Sequence, residues 1–205
     1  MKIVFDLSEV LLPGLIGVED KLETIICKPK DMIAKALGSH PYHEINNNLE
    51  QLLRGDVSYE KYREDFLVNL GLGKEYEEAF DRECLRMFDS PYDHTNELIE
   101  TVSNSCELYL LSDHCEKWAD YIQGKHSFFK YFNGALWSFE VGETKKCDVP
   151  FKALCERYGL IPEECLFIDD NKINIFIASE VGFNTVLFSG EDSIKEIYEN
   201  LGLSG

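Results

Sequence analysis

The chain has 205 residues, of which 44% are hydrophobic and 12% aromatic, enough to bury one good core and a smaller added module. Its formal net charge of -18, from 38 acidic and 20 basic residues, repels nucleic acid and anionic membrane surfaces, so we expect neither as a partner. Seven cysteines without CxxC spacing, most of them within apolar runs, indicate reduced core residues rather than a disulfide framework or a zinc site.

The first residues form a short β-rich run. Lys2–Phe5 ends at Asp6 and is followed by a loop containing Pro13 and Gly14, which predicts a buried parallel strand with polar groups at its carboxyl end. This start lacks the apolar stretch of a signal peptide, and no segment approaches the roughly 20 apolar residues that span a bilayer. We therefore expect a cytoplasmic protein.

From residue 18 to about residue 89, apolar residues recur with helical spacing and are interrupted at glycines. The predicted helices are Asp31–Leu37, Ile45–Leu53, Tyr59–Leu70 and Tyr76–Phe88. Ser58 is suited to cap the third of them. The block contains no strand pattern, so we predict an all-helical insert over residues 17–89.

After Pro91 the pattern alternates between helix and strand. The predicted strands are Leu108–Leu111, Ala135–Trp137, Leu166–Ile168 and Thr185–Phe188, and the predicted helices are Thr95–Val102, Lys117–Gln123, Phe151–Tyr158, Ile173–Val181 and Ile194–Leu201. This alternation predicts an α/β fold: a doubly wound parallel sheet, formed by residues 1–16 and 90–205 and interrupted after its first strand by the helical insert.

Polar residues follow the predicted strands. They are Asp6 after the first strand, Ser112 and Asp113 after the second, Lys145 and Lys146 beyond the third, and Asp169 and Asp170 after the fourth. Ligands of open parallel sheets bind outside the carboxyl ends of the strands. The sequence therefore predicts one crevice that brings together a nucleophilic carboxylate, a hydroxyl, a lysine and a carboxylate pair.

Four segments resemble, in order, the motifs of haloacid dehalogenase-like hydrolases. They are Phe5–Leu11 (FDLSEVL), Leu110–Asp113 (LLSD), Lys145 and Leu166–Asn174 (LFIDDNKIN). Leu53–Glu60 (LRGDVSYE) is also similar to a turn in the helical caps of the family's sugar-phosphate phosphatase branch. The resemblance covers nearly the whole chain and implies a Rossmann-like core with the insert as its cap.

The resemblance implies a phosphohydrolase that acts on a small phosphorylated metabolite, such as a sugar phosphate. Asp6 would attack phosphorus and form an aspartyl-phosphate, since a carboxylate with an ordinary pKa of ~3.9 is ionised at neutral pH. Mg²⁺ would be held by Asp6, the main-chain carbonyl of Ser8 and Asp170, all of them hard oxygen ligands.

The remaining site residues would serve the phosphate group. The Ser112 hydroxyl and the backbone N–H of Asp113 would donate to its oxygens, and a lysine would supply positive charge. Asp169 and Asn174 would orient Asp170 and the lysine. The family's spacing points to Lys145, with the adjacent Lys146 as the alternative.

Position 8 departs from the family's phosphatase pattern. A second aspartate usually stands there and protonates the leaving alcohol, whereas this chain has Ser8. Loss of a general acid/base typically costs about 10²–10⁴ in rate. Glu9, His114 or water could take its place, although His114 also fits a solvated helix start and Glu9 is expected to point away from the crevice.

Three functions remain open from the sequence. The first is a Mg²⁺-dependent phosphomonoesterase. The second is a phosphate-binding or regulatory protein with weak turnover, because of Ser8. The third is carbon–halogen hydrolysis, which Asp169 and Asp170 disfavour because metal-free attack by Asp6 gains nothing from further carboxylates.

Substrate identity depends on the cap, whose aromatic residues Tyr42, Tyr59 and Phe66 we expect to be core residues of the cap. Leu11–Gly17 is predicted to act as a hinge between cap and core. The sequence gives no indication of oligomeric state.

Overall fold

The computed structural model describes residues 1–38 and 47–203, and its central element is a five-stranded sheet. The strands are β1 Lys2–Phe5, β2 Glu107–Ser112, β3 Phe132–Trp137, β4 Cys165–Asp169 and β5 Asn184–Leu187. All four pairings are parallel, and the strand order is β3-β2-β1-β4-β5. The predicted α/β class with a parallel sheet is confirmed.

Helices follow β1 and flank the later strands. Those between β1 and β2 are α1 Val18–Ile26, α2 Lys30–Leu37, α3 Asn48–Leu53, α4 Tyr59–Asn69, α5 Glu77–Arg86 and α6 Thr95–Ser103. Those after β2 are α7 Glu116–Lys125, α8 Ser138–Val141, α9 Val149–Tyr158, α10 Lys172–Val181 and α11 Glu191–Asn200. Only helices and 3₁₀ turns, and no strand, occur in the described part of the 17–89 insert, and its division from the core stays a prediction.

Two predictions fall partly outside this description. Tyr42 and the first residues of the predicted helix Ile45–Leu53 lie outside the described residues. Tyr59 and Phe66 are buried, as expected for core aromatics. Helix α8 was not predicted, because four residues are too few to show a helical period.

Strand β3 begins three residues before its predicted start. Its early part contains Gly134, where a Cβ atom would lie only 2.3 Å from the ring of Tyr158. The same ring places its hydroxyl on the backbone of Ala135, accepting from the N–H at 3.1 Å and donating to the carbonyl at 2.8 Å. Glycine is uncommon inside strands, but at position 134 it is needed because the Tyr158 ring lies too close for any Cβ atom.

The register of the sheet explains why the functional residues meet. Phe5 is paired with Leu110 on one side and with Ile168 on the other. The next residue, Asp6, still donates its backbone N–H to Ile168 at 2.8 Å. The carboxyl ends of the three central strands are therefore level, and the residues that follow them emerge at one edge of the sheet.

Alternate residues of the strands face two separate hydrophobic clusters. Ile3 and Phe5 belong to the larger cluster, whereas Val4 belongs to the smaller one on the other face. The larger cluster continues into the helical insert through Trp118 of α7, whose ring lies 6.0 Å from that of Tyr59. Aromatic packing thus joins the insert to the sheet layer.

Among residues 1–38 and 47–203, no helix combines the length and the apolar character that crossing a bilayer requires. All seven cysteines are free thiols. Cys84, Cys115 and Cys165 are buried, whereas Cys27 is exposed at the end of α1 and does not join the core.

Candidate active site

Asp6 stands directly after β1 and is almost inaccessible to solvent, at 6% relative exposure. One of its oxygens, Oδ1, accepts hydrogen bonds from the Leu7 backbone N–H at 2.7 Å and the Ser112 hydroxyl at 2.9 Å, and it forms an ion pair with the Lys145 ammonium at 2.6 Å. The structure thus brings together the predicted nucleophile, the predicted hydroxyl and one of the two candidate lysines.

Lys145 is buried and its ammonium bridges two carboxylates. Nζ lies 2.7 Å from Asp169 Oδ2 in addition to its contact with Asp6. The Lys145 backbone N–H lies 3.2 Å from each oxygen of the Asp113 carboxylate. Asp113, which we predicted as a backbone donor to phosphate, therefore also holds the main chain of the lysine in place.

Asp169 is engaged on both oxygens by its own surroundings. Asn174 donates to them at 3.1 and 3.0 Å, and the backbone N–H of Asn171 donates to Oδ1 at 2.8 Å. Asp170, by contrast, is exposed, and no described side chain donates a hydrogen bond to it in the structure. These contacts suit Asp169 to orienting the lysine and leave Asp170 available as a ligand.

The site has a donor set that fits a hard divalent cation. Carboxylate oxygens of Asp6, Asp169 and Asp170 all lie within 4.8 Å of one another. Clustered carboxylate oxygens are the ligands that Mg²⁺ prefers. Both oxygens of Asp169 already accept from other groups, whereas the described contacts of the Asp6 carboxylate are all on Oδ1. Asp6 and Asp170 are therefore the better candidate ligands, and the carbonyl of Ser8 stays a predicted third ligand.

The carboxylates outnumber the single buried cation. Desolvation raises the pKa of Asp6, against the opposing effect of Lys145. Desolvation likewise raises the pKa values of Asp113, Asp169 and Asp170 to about 6 each. Burial alone would lower the pKa of Lys145, but the surrounding carboxylates, led by Asp169, hold it above its usual value. The lysine is therefore always charged, while the acids carry excess negative charge at neutral pH.

We expect the metal-free protein to be more stable at pH 5 than at pH 7. Asp113 and Asp169 bind protons near pH 6 when folded but only near their ordinary 3.8 when unfolded, so stability rises as the pH falls through 6, and the exposed Asp170 adds less. His114 opposes this with one proton, because burial lowers its folded pKa to about 3. Thermal unfolding in chelator at pH 7, 6 and 5 checks the trend, and a melting temperature that falls throughout would contradict it.

The Ser8 hydroxyl forms its hydrogen bond with His114, and none is described between it and Asp6. Its Oγ lies 3.3 Å from His114 Nε2, and His114 Nδ1 lies 3.1 Å from Ser112 Oγ. Since Ser112 donates its proton to Asp6, it accepts from Nδ1–H, which leaves Nε2 to accept from Ser8. The three side chains therefore form one directed chain of hydrogen bonds that ends at the predicted nucleophile.

His114 is buried rather than solvated at a helix start. Its ring packs 5.5 Å from Phe88 and 5.6 Å from Trp137, measured between centroids. Desolvation keeps it neutral, since its pKa falls to about 3. In this state it orients Ser8 and Ser112, and its single ring proton, on Nδ1, is already donated to Ser112 Oγ.

Glu9 is held by contacts on both of its carboxylate oxygens. Gly14 donates its backbone N–H at 2.8 Å, and Tyr92 donates its hydroxyl at 2.7 Å. The backbone of Glu9 is left-handed, with φ of 60°. These contacts brace the predicted hinge over Leu11–Gly17 and give the carboxylate a structural task.

Lys146 lies apart from the acidic cluster. Its ammonium pairs with Glu50 of α3, a residue that sequence inspection did not single out. Nothing in the local pattern distinguishes Glu50 from the many exposed acids of the chain, since its partner is 96 residues away. Of the two candidate lysines, only Lys145 contacts Asp6 among the described residues.

A separate cavity of about 540 Å³ opens between the insert and the start of α7, with Tyr59, Cys115, Lys117 and Phe139 among its lining residues. None of its lining residues belongs to the acidic cluster. The candidate site therefore lies at the edge of the sheet around Asp6, where the predicted nucleophile, the buried Lys145 ammonium and a group of carboxylates that could hold a divalent cation come together.

The family model of haloacid dehalogenase-like hydrolases matches residues 3–182. This match covers most of the chain, and the chain belongs to that family of hydrolases.

A curated relative is Flavin mononucleotide hydrolase 1 of Arabidopsis thaliana, described as chloroplastic. It is 24% identical over 152 residues, which cover 74% of this chain and 60% of the relative. The chain thus spans about 60% of the relative's length. Because the relative is described as chloroplastic, the cytoplasmic location stays a prediction.

Solved structures share the fold over most of their length. A HAD family enzyme from Bacteroides thetaiotaomicron, in complex with magnesium and inorganic phosphate, has a TM-score of 0.77 at 19% identity and covers 93% of this chain and 96% of its own. L-2-haloacid dehalogenase from Xanthobacter autotrophicus, with chloropropionic acid covalently bound, has a TM-score of 0.67 at 15% identity, covering 100% and 84%. These likenesses establish the fold.

Proposed function

We propose that the chain is a Mg²⁺-dependent phosphomonoesterase with Asp6 as the nucleophile. The observation that carries the proposal is the placement of the Lys145 ammonium 2.6 Å from Asp6, within an acid cluster that fits a divalent cation. The magnesium and phosphate bound by the Bacteroides enzyme, and the name of the Arabidopsis relative, favour phosphoester chemistry on this fold.

In the proposed reaction an oxygen of Asp6 forms a bond to phosphorus as the bond from phosphorus to the alcohol oxygen breaks. Water then attacks the aspartyl-phosphate, which releases inorganic phosphate and restores the carboxylate. Lys145 and Ser112, which now donate to Asp6, are placed to donate to phosphate oxygens as negative charge gathers there. Mg²⁺ held by Asp6, the Ser8 carbonyl and Asp170 would offset the repulsion between carboxylate and phosphate.

The test is hydrolysis of a phosphate panel by the purified protein. The panel contains p-nitrophenyl phosphate, sugar phosphates and flavin mononucleotide, the last because of the Arabidopsis relative's name. We expect turnover that depends on Mg²⁺ and stops in chelator. Folded protein that turns over no member of the panel would contradict the proposal.

Carbon–halogen hydrolysis is the alternative function, because the Xanthobacter dehalogenase has a similar fold. The position of Asp170 disfavours this function. Its carboxylate lies close enough to that of Asp6 to share a metal ion, and without a cation the two carboxylates only repel each other. Release of halide from 2-haloacids that persists in chelator would favour the dehalogenase.

The Ser8→Asp variant separates an enzyme with slow turnover from a phosphate-binding protein. A serine hydroxyl cannot protonate a poor leaving group, so the variant should raise kcat for alkyl phosphates by ~10²-fold. For p-nitrophenyl phosphate, whose leaving group departs without a proton, we expect little change. Side-by-side kinetics on the two substrate types check this, with Ser8→Asn as an isosteric control that cannot donate a carboxylic proton.

The outcome decides between the two functions. A gain restricted to alkyl phosphates identifies a phosphatase limited by leaving-group protonation. Negligible rates on both substrate types for the wild type and for Ser8→Asp, with phosphate binding retained, would indicate a phosphate-binding protein instead.

A further inference from the structure

We propose that Glu50, in the helical insert, is a positioning residue for Lys145. It acts through the two neighbours of the lysine in the chain, Thr144 and Lys146. The proposal rests on the proposed function, because it takes Lys145 as the group that stabilises negative charge on the phosphate. It assigns a task to Lys146 and to a buried acid of α3 that the reaction itself does not use.

The Glu50 carboxylate contacts both neighbours of Lys145. Its Oε1 accepts from the Thr144 hydroxyl at 2.6 Å, and its Oε2 accepts from the Lys146 ammonium. The residue is only 8% exposed. Its own backbone is fixed at the start of α3, where the Asn47 side chain accepts from the Glu50 N–H at 2.7 Å.

Lys145 needs such support because it lies in a loop. The segment from 142 to 148, between α8 and α9, has no regular secondary structure and is called the lysine loop below. Asp113 holds the Lys145 N–H from the sheet side, and Glu50 holds the flanking side chains from the insert side. Together they fix both the main chain and the direction of a buried ammonium whose Nζ must stay within hydrogen-bond reach of Asp6.

The end of α3 docks on the same region of the core. The carbonyl of Leu53 accepts from Ser138 Oγ at 2.5 Å, and Arg54 Nε donates to the Gly142 carbonyl at 3.2 Å. Helix α3 therefore meets the core just before the lysine loop as well as within it.

Because Glu50 is buried, its carboxylate is favourable only while α3 is docked on the lysine loop. A buried carboxylate is unfavourable unless it is paired and hydrogen-bonded, and both of its recorded partners lie in the lysine loop. Those partners are supplied only while α3 rests on that loop. Docking of the insert and correct placement of Lys145 are thus coupled, and the site is complete only with the insert in this position.

The first test compares Glu50→Gln and Glu50→Ala with a control ion pair. Misplacing a catalytic group by about 1 Å can cost ~10²-fold, so we expect kcat for p-nitrophenyl phosphate to fall about 10-fold in Glu50→Gln and about 100-fold in Glu50→Ala. KM should change much less than kcat. The control is Lys125→Met, which breaks the pair of Lys125 with Asp89 at 2.5 Å. This pair involves neither Glu50 nor residues 142–148, so kcat should stay unchanged.

A conservative pair at Thr144 distinguishes positioning from simple stability. Thr144→Ser keeps the hydroxyl that Glu50 accepts from and should keep kcat, whereas Thr144→Val keeps the shape and should lower it. Variants that lose melting temperature but keep wild-type kcat in the folded state would overturn the proposal, because Glu50 would then only stabilise the fold.

A crystal structure of Glu50→Gln gives a readout that needs no turnover. We expect the distance from Lys145 Nζ to Asp6 Oδ1 to grow beyond hydrogen-bond range. A lysine that keeps its contacts with Asp6 and Asp169 would overturn the inference, whatever the substrate panel shows. Conversely, a displaced lysine in a protein without phosphatase activity would support the coupling and contradict only the proposed function.

Discussion

Asp6→Asn should lower kcat for phosphoester hydrolysis by a factor on the order of 10⁴ or more. An amide is not a nucleophile toward phosphorus at neutral pH, and no other described side chain takes the place of Asp6 beside Lys145 and Ser112. The measurement is steady-state hydrolysis of p-nitrophenyl phosphate with Mg²⁺, followed by a search for phosphate covalently attached to the protein, which should be absent in the variant.

The variant should remain folded. The amide oxygen of an asparagine can still accept from the Leu7 N–H and the Ser112 hydroxyl, and Lys145 keeps its partner Asp169. The substitution also removes one charge from an excess of buried carboxylates, so the melting temperature in chelator should not fall. Asp192→Asn, on the exposed surface beside Lys195, is a matched control that should keep full activity. Activity within 10-fold of wild type in Asp6→Asn would rule out Asp6 as the nucleophile.

Lys145→Met should damage both activity and stability. Loss of the fixed positive charge at the transferring phosphoryl group should lower kcat by a factor on the order of 10³. Removing one partner of a buried ion pair typically costs roughly 3–5 kcal/mol, because Asp6 and Asp169 lose their shared cation at 2.6 and 2.7 Å. The stability loss should be larger in chelator than in Mg²⁺, since a bound cation offsets part of the same charge.

The adjacent lysine provides the comparison. Lys146 is half exposed, with 47% side-chain exposure, and pairs with Glu50 rather than with Asp6. Lys146→Met should therefore retain at least about 10-fold more activity than Lys145→Met, with the residual loss arising from the weakened hold on the loop. Lys145→Arg keeps the charge and shows whether a low rate reflects misfolding. If Lys146→Met were the more damaging change, the assignment of the two lysines would have to be reversed.

The fold could be predicted because its signals are local. Most of the strands are short apolar runs, and most of the longer helices repeat apolar residues every three to four positions. Both patterns follow from the directions in which the backbone of a strand or a helix presents successive side chains. The parallel sheet was confirmed, and errors fell where local patterns are weak. Helix α8 is too short to show a period. The start of β3 was not predicted, because Gly134 is atypical of strands and is explained only by its packing against Tyr158.

The strand-end residues could likewise be selected in advance, because the carboxyl ends of parallel strands share one edge. Asp6, Ser112 and Asp169 meet Lys145 at that edge, as the order of motifs implied. Their catalytic roles remain predictions that the substitutions above can test.

The sequence by itself determined the α/β class and which polar residues stand at the strand ends, since both depend on neighbours along the chain. Only the tertiary structure decided between Lys145 and Lys146, placed neutral His114 between Ser8 and Ser112, and brought Glu50 onto the lysine loop. The reason is distance along the chain: Ser8 and His114 are 106 positions apart, and Glu50 and Thr144 are 94. Contacts of this kind leave no periodic trace in the sequence, because tertiary packing sets them: packing within the core for Ser8 and His114, and packing of the insert against the core for Glu50 and Thr144.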